Sequence, residues 1–403
     1  MNQANIPEEK LMQIVKEKHE QIPSIMMENE VDCWIIFIRE TEANPDPVSD
    51  LVIGGKVVWE SAFIFINKME IFSKVAIVGN FDAPAETKKA IWDEVISYKE
   101  GIAKSLKETI ERFDPQKIAL NFSEDDVVSD GLSHGMFLKI SSILKDRAEH
   151  FISAAPIIQA IRGRKTKTEI DLITKACELT EEINQTITPL LKPGMNETEI
   201  QKLFHSEMDR LRVATAWQRV SCPAIDAGPD KEIGHIGPAP NHITKRGHTL
   251  HNDFGIKLQG YCSDIQRMWF FGDNIPDELV HAFKTVQKAI IKAADYIKPG
   301  VTGYSVDKIA RDYVKSRGYE EYAHALGHQI GTKAHDGGII LGPLWERYGD
   351  TPRGIVEVNN VFTLELHVKT QNYGVVSLEE NILITEKGCR FLIPPQVNFI
   401  LIK

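Results

Sequence analysis

The chain has no stretch approaching the roughly 18 consecutive apolar residues of a membrane-spanning helix. Its first 20 residues are charged throughout, without the apolar centre of a secretory leader. Cytoplasm is therefore the expected location. Cysteine is scarce: Cys33, Cys177, Cys222, Cys262 and Cys389 are scattered, odd in number and without a Cys-x-x-Cys pair. That excludes a disulfide scaffold and fits free thiols in a reducing compartment. No basic run exceeds a few residues and the net charge is -10, so neither nucleic acid nor an anionic membrane is expected as a partner. Two chemical fingerprints are also missing. No Gly-x-Gly-x-x-Gly occurs, and Gly54-Gly55 is too short to cradle a phosphate. No Gly-x-Ser-x-Gly marks a serine nucleophile, and no cysteine comes with a matched histidine.

With 403 residues and 42% hydrophobic content, the chain is long enough for two domains, each with its own core. Apolar spacing over residues 5–30 predicts an amphipathic helix, and the continuous run 31–38 suits a buried strand. Further strands are expected at 61–66, 73–78 and 117–122, with helices over 84–113, interrupted, and 130–146. This alternation predicts an α/β domain that closes near Ala154-Ala155-Pro156, dividing the chain into 1–160 and 161–403.

The second half opens with a long amphipathic helix over 166–190, capped by Thr166 or Thr168, and then contains an internal echo. Lys192-Pro193-Gly194 precedes a helix with the capping-box pattern Asn196-x-x-Glu199, and Lys298-Pro299-Gly300 precedes another 106 residues later. Each copy runs on into β-rich sequence. A duplicated α-α-β unit is the expected organisation.

That β-rich sequence holds Asp253, Asp264, His328, Glu365 and Glu379, an oxygen-rich set with one imidazole that suits Mn, Fe, Co or Zn and predicts a two-metal hydrolase. Asp253 and Asp264 flank Leu258-Gln259-Gly260. A turn centred on Leu258 and Gln259 would set the two aspartates face to face across a hairpin. Glu365 and Glu379 flank 370–374 in the same way and are expected to oppose one another. Like charges directly opposite on a ladder are destabilising. Divalent cations between them would remove the conflict.

These residues resemble the creatinase/aminopeptidase P/prolidase family of pita-bread metallopeptidases. The Asp-x10-Asp spacing of Asp253 and Asp264 carries the resemblance, with Gly327-His328, Glu365 in Phe362-Thr363-Leu364-Glu365, and the strand Leu378-Glu379-Glu380-Asn381-Ile382-Leu383-Ile384-Thr385. The resemblance implies an α/β N-terminal domain followed by an α+β pita-bread domain. It also implies a pair of divalent metal ions, manganese first with cobalt, zinc or iron as alternatives, and a homodimer. It gives roles to three more histidines. His235 stands 18 residues before Asp253, and His324 and His335 stand four before and seven after His328. They would contact substrate and stabilise charge, whereas His242, His248, His251 and His367 lack such spacing.

The implied activity is hydrolysis of an N-terminal peptide bond in a small peptide, as in Xaa-Pro aminopeptidases and dipeptidases. Water is the expected nucleophile and Glu365 the expected proton carrier. Two departures bear on proline. Proline-specific relatives usually continue the first glutamate as Glu-Pro-Gly and place arginine two residues before the last glutamate. Here Leu366-His367 follows Glu365, and Ser377 precedes Glu379. Hydrolysis of a small non-peptide amide or amidine is therefore a second expectation, and a binding protein that has lost catalysis a third.

Overall fold

The computed structural model describes residues 3–68, 71–229 and 237–403. They form two compact units, Pro7–Arg162 and a second comprising residues 3–6 with Gly163–Lys403.

In the first unit a helix, α1 (Glu8–Glu28), buries Ile14, Val15, Ile22, Ile25 and Met26 on one face. The strands are β1 (Cys33–Ile38), β2 (Ser61–Lys68), β3 (Ile71–Gly79), β4 (Glu94–Tyr98), β5 (Ile118–Leu120) and β6 (Phe151–Ser153). The helices among them are α2 (Ser49–Val52), α3 (Ala83–Lys89), α4 (Ala103–Phe113) and α5 (His134–Ile143), and α6 (Ala155–Gly163) follows. The sheet order β4-β3-β2-β1-β5-β6 puts β1 near its centre. That position explains why all six of its residues, Cys-Trp-Ile-Ile-Phe-Ile, are buried. The interruption expected within 84–113 is itself a strand: β4 lies parallel to β3.

The second unit begins with α7 (Lys167–Ile187) and α8 (Glu197–Leu211). Both open with a complete capping box. Thr166 Oγ accepts from Glu169 N at 3.3 Å while the Glu169 carboxylate accepts from Thr166 N at 2.7 Å. Asn196 and Glu199 repeat the exchange at 2.9 Å in both directions. Strands β7 (Ala214–Thr215), β8 (Ala224–Ala227), β9 (Thr249–Phe254), β10 (Ile256–Leu258), β11 (Tyr261–Cys262) and β12 (Ile265–Phe271) follow. Then come α9 (Asp277–Tyr296), α10 (Gly303–Ser316), β13 (Val361–Lys369), β14 (Val375–Ile384), β15 (Cys389–Phe391) and β16 (Ile400–Ile402).

The internal echo is structural. Thr302 caps α10 as Asn196 caps α8, 106 residues earlier. Each cap residue forms an antiparallel bridge, Asn196 with Ile243 and Thr302 with Ile355. The preceding glycines donate in parallel fashion, Gly194 N to Thr244 O at 2.8 Å and Gly300 N to Val356 O at 2.9 Å. Each copy centres an apolar cluster, although Met268 and Phe270 of β12 join the later one and Ile402 of β16 the earlier. One centres on α7, α8, β9 and β12, with Ile183, Phe204, Phe254 and Trp269; the other on α9, α10, β13 and β14, with Phe283, Val306, Leu364 and Leu378. The strand path β13-β14-β12-β9-β8 runs through both copies.

Candidate metal centre

Register places four polar side chains in one row across this sheet. Asp253 pairs with Gln266, Gln266 with Glu379, and Glu379 with Glu365. Directly paired residues share a face. The expected opposition of Glu365 and Glu379 is thus present, whereas that of Asp253 and Asp264 is not. The turn of the first hairpin centres on Gln259 and Gly260, whose φ angles of 48° and 84° are the left-handed pair of a type I′ turn. Leu258 therefore pairs with Tyr261, and the ladder is displaced by two residues from the expected register. Because the displacement is even, Asp264 keeps the same face as Asp253 and lies one row away, close enough for their carboxyls to hydrogen-bond.

The loop that follows β-bridge residue Gly327 brings His328 over this row. Its Nε2 lies 3.6 Å from Glu365 Oε1, 3.8 Å from Asp264 Oδ2 and 4.0 Å from Glu379 Oε1. Ligand atoms of Asp264, His328 and Glu379 all fall within 4.8 Å of one another. His328 Nδ1 faces the backbone oxygen of Gln329 at 3.3 Å, so its proton belongs there and Nε2 is bare toward the carboxylates. Burial, helped by the neighbouring His335, lowers the His328 pKa to about 3.

The carboxylates are under the opposite stress. Burial and then the charge of Asp253 push Glu365 up to about 8. Burial and surrounding carboxylates raise Asp264 and Glu379 well above their ordinary range. Asp264 Oδ1 and Glu379 Oε1 are buried without a hydrogen-bond partner among the described residues. A bare imidazole nitrogen facing several carboxylate oxygens, with two oxygens left over, has the donor chemistry of a divalent-cation site. The residues present fit such an ion.

Of the other expected residues, His335 stands with its ring perpendicular to His328, centroids 4.4 Å apart. His324 lies farther off: its Nε2 is 3.1 Å from His367 Nδ1, and burial lowers its pKa. His235 lies outside the described residues.

Several residues that motif spacing passed over are built into the site. Gln266 donates from Nε2 to Glu379 Oε2 at 3.0 Å and to Glu365 Oε2 at 3.3 Å. Its Oε1 accepts from Ser377 Oγ at 2.5 Å and from His251 Nε2 at 3.0 Å. His251 Nδ1 in turn donates to Asp226 Oδ2 at 2.8 Å. Both ring nitrogens thus donate. Although burial opposes it, Asp226 raises the His251 pKa. His367 is two residues beyond Glu365 on β13, and burial, with His324 and His251, lowers its pKa to about 4. Strand alternation was the available signal: Gln266 and His367 each sit two positions after a candidate ligand, on the same face.

Buried pairs brace the segments that bear these groups. Arg311 forks onto Asp307 at 2.8 and 2.9 Å and donates to the backbone oxygens of Tyr322 and His324. Asp307 Oδ1 accepts from Leu326 N at 3.2 Å, two residues before His328. Asn381 clamps Asp264 by its backbone, accepting from N at 3.3 Å and donating to O at 2.6 Å.

The sequence profile of metallopeptidase family M24 matches residues 171–386. The chain is 26% identical over 380 residues to a Xaa-Pro dipeptidase of Pyrococcus furiosus, covering 94% of this chain and 98% of that one. It is 25% identical over 320 residues to an uncharacterized peptidase of Bacillus subtilis, covering 79% and 84%. Among solved structures, an X-Pro aminopeptidase from Thermotoga maritima superposes with a TM-score of 0.70 at 25% identity, over 93% of this chain and 98% of that one. The protein belongs to metallopeptidase family M24 and is a metallopeptidase, with an α/β N-terminal domain ahead of an α+β pita-bread domain.

Proposed function

We propose that the protein is a dinuclear metal-dependent exopeptidase that removes the N-terminal residue of a small peptide. Asp253, Asp264, His328, Glu365 and Glu379 hold the two divalent ions in this reading, with manganese preferred. The observation that carries it is the bare His328 nitrogen set among buried carboxylates with oxygens to spare. The names of the Pyrococcus and Thermotoga relatives, Xaa-Pro dipeptidase and X-Pro aminopeptidase, support the substrate class.

When bound, the metal ions supply Lewis acidity and a water acidic enough to act as nucleophile near neutral pH. The chain's residues do the rest. The side chain of Glu365 is 22% exposed, against 8% for Asp264 and 2% for Glu379. It is therefore the carboxylate of this trio best placed to take the water proton at its oxygens and return it to the leaving amine. His335 and His235 donate to the oxygen on which charge develops. Gln266 holds one oxygen of each glutamate, leaving each Oε1 turned toward His328.

A peptide-library digest with protein reconstituted separately with Mn, Co, Zn and Fe tests the reading. Release of single N-terminal residues is expected, with turnover abolished in Asp264→Ala and Glu379→Ala while both remain folded. Near-normal rates in either variant would remove the site assignment. Tight metal binding without turnover of any peptide would transfer the reading to a small non-peptide amide.

A further inference from the structure

The proposed reaction leaves the cation of Lys165 without a task, yet its setting is specific. The side chain is 1% exposed and its Nζ lies 3.1 Å from Oδ2 of Asp336, itself 3% exposed. Its backbone is fixed as well: Lys165 N lies 2.9 Å from Gly163 O and 3.1 Å from Asn359 O, and Thr166 beside it opens the capping box of α7. Asp336 uses its other oxygen locally. Oδ1 accepts from Thr332 Oγ1 and Lys333 N, each at 3.2 Å, while Asp336 N donates to Gln329 O at 2.9 Å. One carboxylate thus ties residues 329–336 into a closed loop. A side chain at Gly331 would set its Cβ 2.2 Å from Asp336 Oδ2 and 3.0 Å from Lys165 Cε, so glycine alone lets the loop close over the pair.

This loop carries His335, which is exposed and whose ring stands 4.4 Å from that of His328 between centroids. The backbone at the base of that ring is held through the next residue, Asp336. A buried carboxylate stripped of its cation is strongly disfavoured and turns toward solvent. Here that movement would carry the peptide of His335 with it. We infer that Lys165 is a positioning residue for the reaction: its ammonium keeps Asp336 inside and thereby sets where His335 meets the substrate oxygen. The inference rests on the exopeptidase reading, in which His335 stabilises the charge that develops on that oxygen.

The test measures kcat and KM of the manganese-saturated protein on the best peptide of the library. Lys165→Met is expected to lower kcat at least about tenfold with KM within about twofold, since a misplacement of about 1 Å can cost about a hundredfold. If Lys165 acts through His335, the two losses do not multiply, and Lys165→Met placed in a His335→Ala background is expected to cost less than about threefold more. Hydrogen exchange in the metal-free protein gives a readout apart from turnover: the amides of Lys333 and Asp336 are expected to exchange at least about tenfold faster in Lys165→Met. Asp336→Asn, which removes the other charge of the pair, supplies the same readings should Lys165→Met not fold. Unchanged kcat in a folded variant, losses that multiply with that of His335→Ala, or unchanged exchange overturns the inference and leaves the exopeptidase reading standing. A wild type that hydrolyses no library peptide defeats that reading and the inference with it.

Discussion

Without metal, the protein is expected to lose stability as pH rises from 6.5 to 8, and divalent cation is expected to restore it. Glu365 titrates at about 8 in the folded chain against an ordinary 4.5, raised by burial and then by Asp253. A raised carboxylate means that the native state binds more protons than the unfolded one, so its contribution is complete below pH 4.5 and fades as pH climbs through 8. His19, His324, His328 and His367 have lowered values and act in the opposite sense; by pH 8 each returns at most about 0.4 kcal/mol of the interval as the unfolded imidazole sheds the second half of its proton. Across 6.5–8 the acidic groups outweigh them. Integrating the proton difference for Glu365 alone across it gives a loss of about 1.6 kcal/mol. Asp264, Glu379 and the raised His251 push the same way. After the histidines, the net for a unit of this size is a fall in Tm of roughly 2–3 °C or more. Calorimetric melts in chelator and in manganese, at half-unit pH steps, measure it. Metal should flatten the slope, but not fully. Glu380, raised to about 7 by burial against the opposing pull of Arg267, belongs to a separate ion pair and leaves about 0.8 kcal/mol of metal-independent loss. A metal-free Tm that stays level or rises between pH 6.5 and 8 would refute the carboxylate-crowding argument.

Two further changes probe the supports. Gln266→Leu releases Glu365 Oε2 and Glu379 Oε2 from their shared amide, so metal affinity by titration calorimetry is expected to weaken about tenfold or more; wild-type affinity would show the amide to be dispensable. Asp307→Ala leaves the buried Arg311 without its carboxylate and Leu326 N without its acceptor, with an expected loss of about 3 kcal/mol by denaturant melts, and an unchanged midpoint would contradict that bracing role.

The sequence displayed its ladder chemistry unevenly. Glu365 and Glu379 were legible as a facing pair because Val361–Lys369 and Val375–Ile384 flank one short turn over 370–374, from which the two glutamates are equally distant. The first hairpin misled because Leu258-Gln259-Gly260 offers more than one turn centre, and the choice depends on which residues accept positive φ; Gln259 does so beside Gly260. Asn196 announced its helix through the glutamate three residues later, while the choice between Thr166 and Thr168 is settled by Glu169, which completes the box with Thr166. The strand β4 was hidden between two helical stretches, since none of its five residues is fully buried. Gln266 and Asp226 escaped notice, and His251 and His367 were set aside, because motif spacing records candidate ligands, whereas what surrounds them is set by which strands become neighbours. β12 and β14 are more than a hundred residues apart, and nothing local predicts that Gln266 will stand beside Glu379.

That pairing of Gln266 with Glu379 is where the sheet passes from one repeat to the other. Asp253 and Asp264 come from the earlier repeat, and His328, Glu365 and Glu379 from the later. The candidate ligands thus meet at a junction that the interiors also cross, since Met268 and Phe270 of β12 pack in the later repeat's cluster and Ile402 of β16 in the earlier one's. A slide of one half against the other would break both apolar clusters at once, so close packing at this junction holds the two groups of candidate ligands at a fixed separation.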